Sequence, residues 1–413
     1  MSKNKKILRN IFFLVLIQLL NYLAPLLALP YLSRVLSVDN FGLIMVLISF
    51  LVLIKIITDF GFNISATHKI SCSRENKKFI SRYLGSIFSL KLILIGISLV
   101  ICYLYFFAFN KIPIKDKETL YFYFTLTVIF QAYQPIWFFQ GIEKMQNITA
   151  VMSASKISYL IFIFSLVKTD SDINNVILCL MLSNFIASAA CFIAIYKSGY
   201  YIKTPTLKFI YITFRKNIYF FFSRAAVSIY TTVNTFLIGS YAGLYQAALY
   251  SSAEKLYQAG QSISLPVSQA LFPHLSKNKD ITTLYKFVLV MLIPLTLICI
   301  VSFILAPNIL ALFYGDKYIA GENILRVFLI SIVVSFININ FGYPAFSTLN
   351  KLNIANLTVL IGGAVQLLAI VILIVSNNFS ALNIAISTLL SETLVMILRI
   401  SLFAYYNKRD HVK

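Results

Sequence analysis

Charge is scarce in this chain, and acidic charge is scarcest. Of 413 residues only 12% are charged, with 14 Asp and Glu against 35 Lys and Arg. A soluble domain carries about 25% charged residues, and a water-soluble fold of this size cannot solvate its surface with so few. Histidine is nearly missing: the three present, His68, His274 and His411, have no plausible catalytic partner. No Walker loop, GxSxG or HExxH stretch occurs, which argues against an ATP-driven pump and against the common hydrolytic chemistries. The five cysteines, Cys72, Cys102, Cys179, Cys191 and Cys299, include no CxxC pair, so neither a zinc site nor a disulfide framework is supported. All but Cys72 fall inside apolar runs, where a thiol reads as a small core residue.

Apolar residues are abundant, at 59%, and the mean hydropathy is +0.84. The natural solvent for such a chain is hydrocarbon. A membrane helix needs roughly 20 mostly apolar residues, and about twelve such runs can be placed. They cover approximately 11–32, 41–61, 84–109, 119–140, 147–167, 174–196, 218–241, 246–272, 286–305, 323–346, 354–375 and 381–404. The first follows a basic N-terminus (Lys3, Lys5, Lys6, Arg9) but is too long for a signal-peptide core and lacks a clear cleavage site, so it reads as a retained helix. The expected fold class is therefore all-α integral membrane.

The net charge of +21 could suggest a nucleic-acid partner. Its distribution rejects that reading, because the basic residues cluster between apolar runs, as an orientation signal does. With the N-terminus placed in the cytoplasm, most Lys and Arg fall on that side. They include Lys69, Arg74, Lys77, Lys78, Arg82, Lys144, Lys351 and the tail residues Lys408, Arg409 and Lys413. The opposite side holds Arg34, Lys111, Lys115, Lys117, Lys168 and Lys317. This asymmetry supports an even number of spans, with both termini expected inside. The longest connection, 197–217, carries Lys197, Lys203, Lys208, Arg215 and Lys216. It divides the chain into an N-terminal six-helix lobe (1–196), a basic cytoplasmic linker (197–217) and a C-terminal six-helix lobe (218–413). Short turns near Ser37–Gly42 and Tyr241–Tyr245 suggest that the halves repeat one another.

Several charges lie within the apolar runs: Lys55, Lys91, Lys156, Arg224, Lys255, Arg326 and Arg399. A charge at mid-bilayer costs about 2.5–3.5 kcal/mol on insertion scales, so these side chains are expected to face a wet or anionic interior. Lys55, Arg326 and Arg399 stand near helix ends, where snorkelling competes with that reading. The acids in the same runs are Asp59, Glu254 and Glu392. An interior so weighted repels cations and attracts phosphates, pyrophosphates or acidic sugars. The acids could pair internally (Glu254 with Lys255, Asp59 with Lys55) or titrate and couple transport to an ion. Pro25, Pro30, Pro135, Pro266, Pro273, Pro294 and Pro344 interrupt or bound helices and permit kinks. Aromatics, at 15%, read first as interfacial belts.

Four segments then bear a resemblance: NYLAPLLALPYLSRVLSVDNFG (21–42), ITDFGFNISATHKIS (57–71), QPIWFFQGIEKM (134–145) and SLPVSQALFPHLS (264–276). Over its whole length the chain resembles the bacterial O-antigen/polysaccharide flippase family, the polysaccharide transporter branch of the multidrug/oligosaccharidyl-lipid/polysaccharide exporter superfamily. The resemblance implies two six-helix lobes around a central cavity that opens alternately to cytoplasm and periplasm in the inner membrane. It implies an O-antigen repeat unit on undecaprenyl pyrophosphate as passenger, coupling to an ion gradient, and no cofactor. It also implies a monomer working alongside an O-antigen polymerase and a chain-length regulator. By position, Arg34 closes the PYLSR motif, Asp59 stands in DFGFN, and Trp137 and Glu143 belong to WFFQGIEKM. Lys91, Lys156 and Lys255 fall where the family places cavity cations, and Lys55, Arg224 and Arg34 complete the expected cavity set. Two other readings stand beside this one. A drug/cation antiporter of the same superfamily would want an anionic cavity. A membrane polymerase or glycosyltransferase would need a metal site, for which only Asp170-Ser171-Asp172 offers a DxD-like triplet.

Overall fold

The computed structural model describes residues 21, 23–109, 116–262, 268, 272, 275–276 and 279–411. Among them all regular structure is helical. The N-terminal cations Lys3, Lys5, Lys6 and Arg9, residues 11–20 of the expected first helix, Lys111, Lys115, Pro266, Pro273, His274, Lys277 and Lys413 lie outside the described residues, as does most of the 264–276 motif.

The helices are α1 (Leu23–Val35), α2 (Val38–Asp59), α3 (Phe62–Ser71), α4 (Lys77–Tyr103), α5 (Lys117–Ala132), α6 (Ile136–Gly141), α7 (Met145–Leu166), α8 (Ile173–Lys197) and α9 (Leu207–Thr232). They continue as α10 (Asn234–Tyr241), α11 (Leu244–Ser262), α12 (Ile281–Ile304), α13 (Ala306–Tyr314), α14 (Glu322–Asn340), α15 (Tyr343–Thr348), α16 (Leu352–Val375) and α17 (Ala381–His411). Among the described residues, 8 helical stretches are long and apolar enough to cross a membrane. The chain is a multi-pass membrane protein.

Several expected boundaries move, each for a local reason. The span 119–140 is cut in two because Pro135 supplies no N–H, and α5 stops at Ala132. The span 323–346 is cut at Phe341–Gly342, ahead of Pro344. The seventh span starts at Leu207, eleven residues before the expected 218, and breaks at Val233. Its first turns carry Lys208, Arg215 and Lys216 among aromatic and aliphatic residues. An amphipathic helix start of this kind looks like a basic loop when judged by charge alone. The stretch after Ile304, expected as an outer loop, is helical in α13, with Pro307 in its first turn.

The chain divides into two compact units: Met1–Asn40 with Leu47–Ser228, and Phe41–Val46 with Ile229–Lys413. In the first, α3 packs on α6, α5 and α7 on α8, and α4 on α5. Its core gathers Trp137, Phe138 and Phe139 of α6 with Phe62, Ile70, Tyr83, Ile87 and Tyr200. In the second, α14 packs against α11, α12 and α17, and α16 against α17. Its core includes Phe336, Phe341, Phe346, Ala355 and Phe403. Helix α12 leaves Leu289, Ile293, Leu297, Ile298 and Val301 exposed, the pattern of a helix that faces hydrocarbon.

One substructure recurs. α5, a break, the six-residue α6 and α7 are echoed by α14, a break, the six-residue α15 and α16. Two residues past each short helix stands a residue with positive φ, Glu143 (56°) and Asn350 (55°), followed by a lysine, Lys144 or Lys351. The backbone bonds match as well. Lys144 N–H donates to Phe139 O at 2.9 Å and Lys351 N–H to Phe346 O at 3.0 Å, while Asn147 and Ile354 N–H donate to the carbonyls of those lysines. Common local geometry at matching places is what an internal duplication leaves.

Candidate functional site

The DFGFN segment is a helix break. α2 ends at Asp59, and Phe60 and Gly61 both adopt the left-handed conformation (φ 44° and 75°) before α3 begins. The Phe60 ring stacks on Phe214 (5.3 Å) and Phe221 (4.8 Å) of α9, which holds the unfavourable backbone in place. Gly61 is required twice over, since a Cβ there would lie 2.8 Å from Phe220 Cβ and 2.9 Å from Phe220 C. The break presents Asp59 at the end of α2, where its carboxylate accepts from the Asn63 amide.

Three of the expected cations lie within electrostatic reach of one another in the first unit. Lys91 of α4 is 2% exposed. Its ammonium donates to Ala132 O at 2.5 Å. In an unbroken helix Ala132 O would accept from Ile136 N–H, which here bonds Gln134 O instead. The break before α6 thus leaves a carbonyl free at the negative end of α5, and Lys91 occupies it. Lys55, one turn before Asp59 on α2, and Asp59 itself are both within electrostatic reach of Lys91. Lys156 of α7 is half-buried and within reach of Lys55. Helices α2, α4 and α7 therefore carry three interacting cations, Lys91 within reach of Lys55 and Asp59, and Lys156 within reach of Lys55. Arg34 stands apart: it is exposed in the last turn of α1, while Lys55 lies about 25 Å along α2 at 1.5 Å per residue.

Trp137 and Glu143 anchor the α6 turn. Trp137 is fully buried, and its carbonyl accepts from Thr67 of α3 at 3.3 Å. Glu143 pairs with Arg74 at 2.6 Å, and the same guanidinium donates to Gly141 O at 2.8 Å. The Asp170-Ser171-Asp172 triplet is occupied by chain contacts. Asp170 accepts from Ser37 N–H at 2.6 Å and from the Asn40 amide at 2.8 Å. Asp172 accepts from the N–H groups of Lys168 and Thr169 at 3.0 and 2.9 Å.

The second unit carries a polar network that sequence reading largely missed. Glu254 and Lys255 of α11 do not pair with each other; neighbours on a helix point apart. Glu254 accepts from Thr235 Oγ1 at 3.1 Å, and Lys255 donates to Gln258 Oε1 at 3.0 Å. Asn234, at the start of α10, donates to Tyr250 OH at 3.0 Å. Gln366 of α16 donates to Ser387 and Thr388 of α17 at 3.2 Å each and accepts from Ser391 at 3.0 Å. Glu392 accepts from the Asn338 amide at 2.7 Å. Arg399 is 7% exposed and donates to Asn338 O (2.5 Å) and Thr358 Oγ1 (2.9 Å). It does not snorkel, because α17 runs to His411 and leaves Arg399 well inside the helix. Asn234 Oδ1 and Asn338 Oδ1 are buried acceptors with no partner, which in a hydrocarbon setting is costly. Arg326 pairs with Glu322 at 3.3 Å and lies over the Phe303 ring. Arg224 lies on α9, and its side chain is outside the described residues. The missed signal was the recurrence of Asn, Gln, Ser and Thr at helical spacing in runs that read as merely apolar.

The helical fold has structural counterparts among transporters. A lipid II flippase, MurJ in an inward closed conformation, superposes with TM-score 0.68 at 12% identity, covering 94% of this chain and 87% of that one. A multidrug resistance MATE family transporter in an inward-facing conformation gives 0.71 at 13% identity, over 97% and 98%. In sequence, a Shigella dysenteriae protein named for O-antigen transport is 27% identical over 396 residues, 94% of this chain and 98% of that protein. The profile of the "Polysaccharide biosynthesis protein" family matches residues 7–279. The chain belongs to that family.

Proposed function

We propose that this protein is a flippase of the bacterial inner membrane, with both termini cytoplasmic. It carries O-antigen or related repeat units on undecaprenyl pyrophosphate from the cytoplasmic to the periplasmic face by alternating access. One observation supports this above the others: in the first unit Lys91 and Lys156 each lie within electrostatic reach of Lys55, with Asp59 within reach of Lys91. A pyrophosphate is attracted to such a site and a drug cation is repelled by it. Lys255 and Arg224, in the lobe from 218 onward, and Arg34, at the end of α1, complete the candidate cavity cations. Asp59, Glu254 and Glu392 are the candidate coupling groups. In the second unit, Glu254 accepts from Thr235 Oγ1, and Glu392 accepts from the amide of Asn338, whose own Oδ1 is buried without a partner, an arrangement able to take up a proton or small cation. An O-antigen polymerase and a chain-length regulator would take the passenger on release.

The test is a strain lacking this chain and any redundant flippase, complemented with wild type or Lys156→Glu. Wild type restores surface O-antigen. The variant inserts normally but does not restore it, and full restoration by the variant would remove Lys156 from the pathway.

A further inference from the structure

A recess lies wholly within the first unit, in residues the transport reading does not use. It has a volume of about 490 Å³ and is formed between α3, α4 and α9. That size falls in the range of roughly 300–1,000 Å³ typical of small-molecule sites. Its walls are Phe79, Tyr83, Phe209, Ile212 and Phe220, and its charged lining is Lys69 and Lys216.

The recess is built rather than incidental. On its floor, Asn217 is buried and accepts from Ser65 Oγ while donating to Thr213 O at 2.6 Å. Thr213 in turn accepts from Ser86 at 2.9 Å, tying α9 to α4. The floor polar groups are thus mutually satisfied, and the walls above them are aromatic and aliphatic. Lys69 and Lys216 are exposed, Lys69 Nζ lies 5.7 Å from the Phe79 ring centroid, and neither lysine forms an ion pair with a carboxylate among the described residues. Two basic segments converge here because the 198–206 connection packs along the start of α4. Tyr201 and Lys203 N–H donate to the side chain and carbonyl of Ser81, both at 3.3 Å, and Arg82 donates to Thr206 Oγ1 at 3.1 Å.

An apolar slot with two cations at its mouth, on the basic end of a membrane bundle, matches one amphiphile: a lipid with an anionic head and an acyl tail. We infer that this recess binds an anionic phospholipid, with the phosphate on Lys69 and Lys216 and an acyl chain against Phe79, Phe209 and Phe220. The site is separate from the Lys55–Lys91–Lys156 group and stands whether or not the proposed passenger is correct.

Native mass spectrometry of the full-length protein in detergent, titrated with dioleoyl phosphatidylglycerol or dioleoyl phosphatidylcholine, tests this. Wild type retains the glycerol lipid and not the choline lipid. In the Lys69→Gln/Lys216→Gln variant retention weakens about thirty-fold, roughly fivefold for each lysine. The Lys286→Gln/Lys408→Gln variant, which loses the same charge elsewhere, retains the lipid as wild type does. Equal retention of both lipids by wild type, or equal weakening in both variants, overturns the inference. Displacement of the lipid by inorganic phosphate at equal concentration would make the recess a free-anion site, and preferential displacement by undecaprenyl phosphate would make it the passenger's own; either also overturns it.

Discussion

Lys91 performs two tasks that substitution can separate. Its ammonium holds the carbonyl left free at the end of α5, and its charge acts on whatever anion approaches Lys55 and Lys156. Lys91→Met keeps the volume and loses both. A hydrogen bond to a charged group contributes about 1.5–3 kcal/mol, and a carbonyl orphaned where water cannot reach costs a similar amount. Relief from burying the ammonium offsets part of this, leaving a net loss of about 2 kcal/mol. For a unit of this size that lowers the melting midpoint by about 4–8 °C. Lys91→Gln loses only the charge, because its amide can still donate to Ala132 O. At an effective dielectric of about 20, a unit charge about 8 Å from an anion contributes about 2 kcal/mol, so transport falls roughly thirty-fold. The assays are thermal unfolding by fluorescence-detected size exclusion and surface O-antigen in the complemented strain. Lys91→Gln is expected to melt within about 2 °C of wild type yet transport poorly. If it melts as low as Lys91→Met, the cap is not what Lys91 supplies; if it transports normally, its charge is not needed.

Gly61→Ala is strained by its positive φ and by backbone atoms of α9 that cannot retreat, so it should cost about 2–4 kcal/mol; a melting point unchanged from wild type would refute the double requirement. The Arg74–Glu143 pair is about two-fifths exposed, and a double-mutant cycle should give a coupling below about 1 kcal/mol. Arg74→Ala should cost more than Glu143→Gln, because Arg74 also holds Gly141 O. Glu254→Gln or Glu392→Gln should uncouple transport from an imposed ion gradient in proteoliposomes, and a gradient response retained by the double variant would sink their coupling role.

Hydropathy and charge asymmetry were enough to read the class of fold, because apolar runs near 20 residues and basic loops survive any detail of packing. Where helices break was legible only in part. Pro135 and Pro344 announced their breaks, while the one at Phe60–Gly61 depends on Phe214 and Phe221, more than 150 residues away in sequence. Arg399 resembled a snorkelling residue until α17 proved to extend past it, since the polar tail Lys408–Arg409 continues the helix without apolar content. Lys55, Lys91 and Lys156 were visible as cations within apolar runs, but their grouping depends on how α2, α4 and α7 pack. The α16–α17 amide and hydroxyl network was nearly invisible, because Gln366 and Ser387 are single polar residues in apolar surroundings.

Trp137 has a consequence beyond packing. It is the chain's single tryptophan, its ring is fully enclosed at the centre of the first unit's core, and its indole N–H has no hydrogen-bond partner. Its emission should therefore be blue-shifted in the folded protein and move red only when the α6 core opens. The wild-type sequence thus contains an optical reporter for one unit and none for the other. Loss of structure around α14–α17 would be silent in tryptophan fluorescence, so comparing that signal with total helix content resolves the order in which the units unfold without any introduced label.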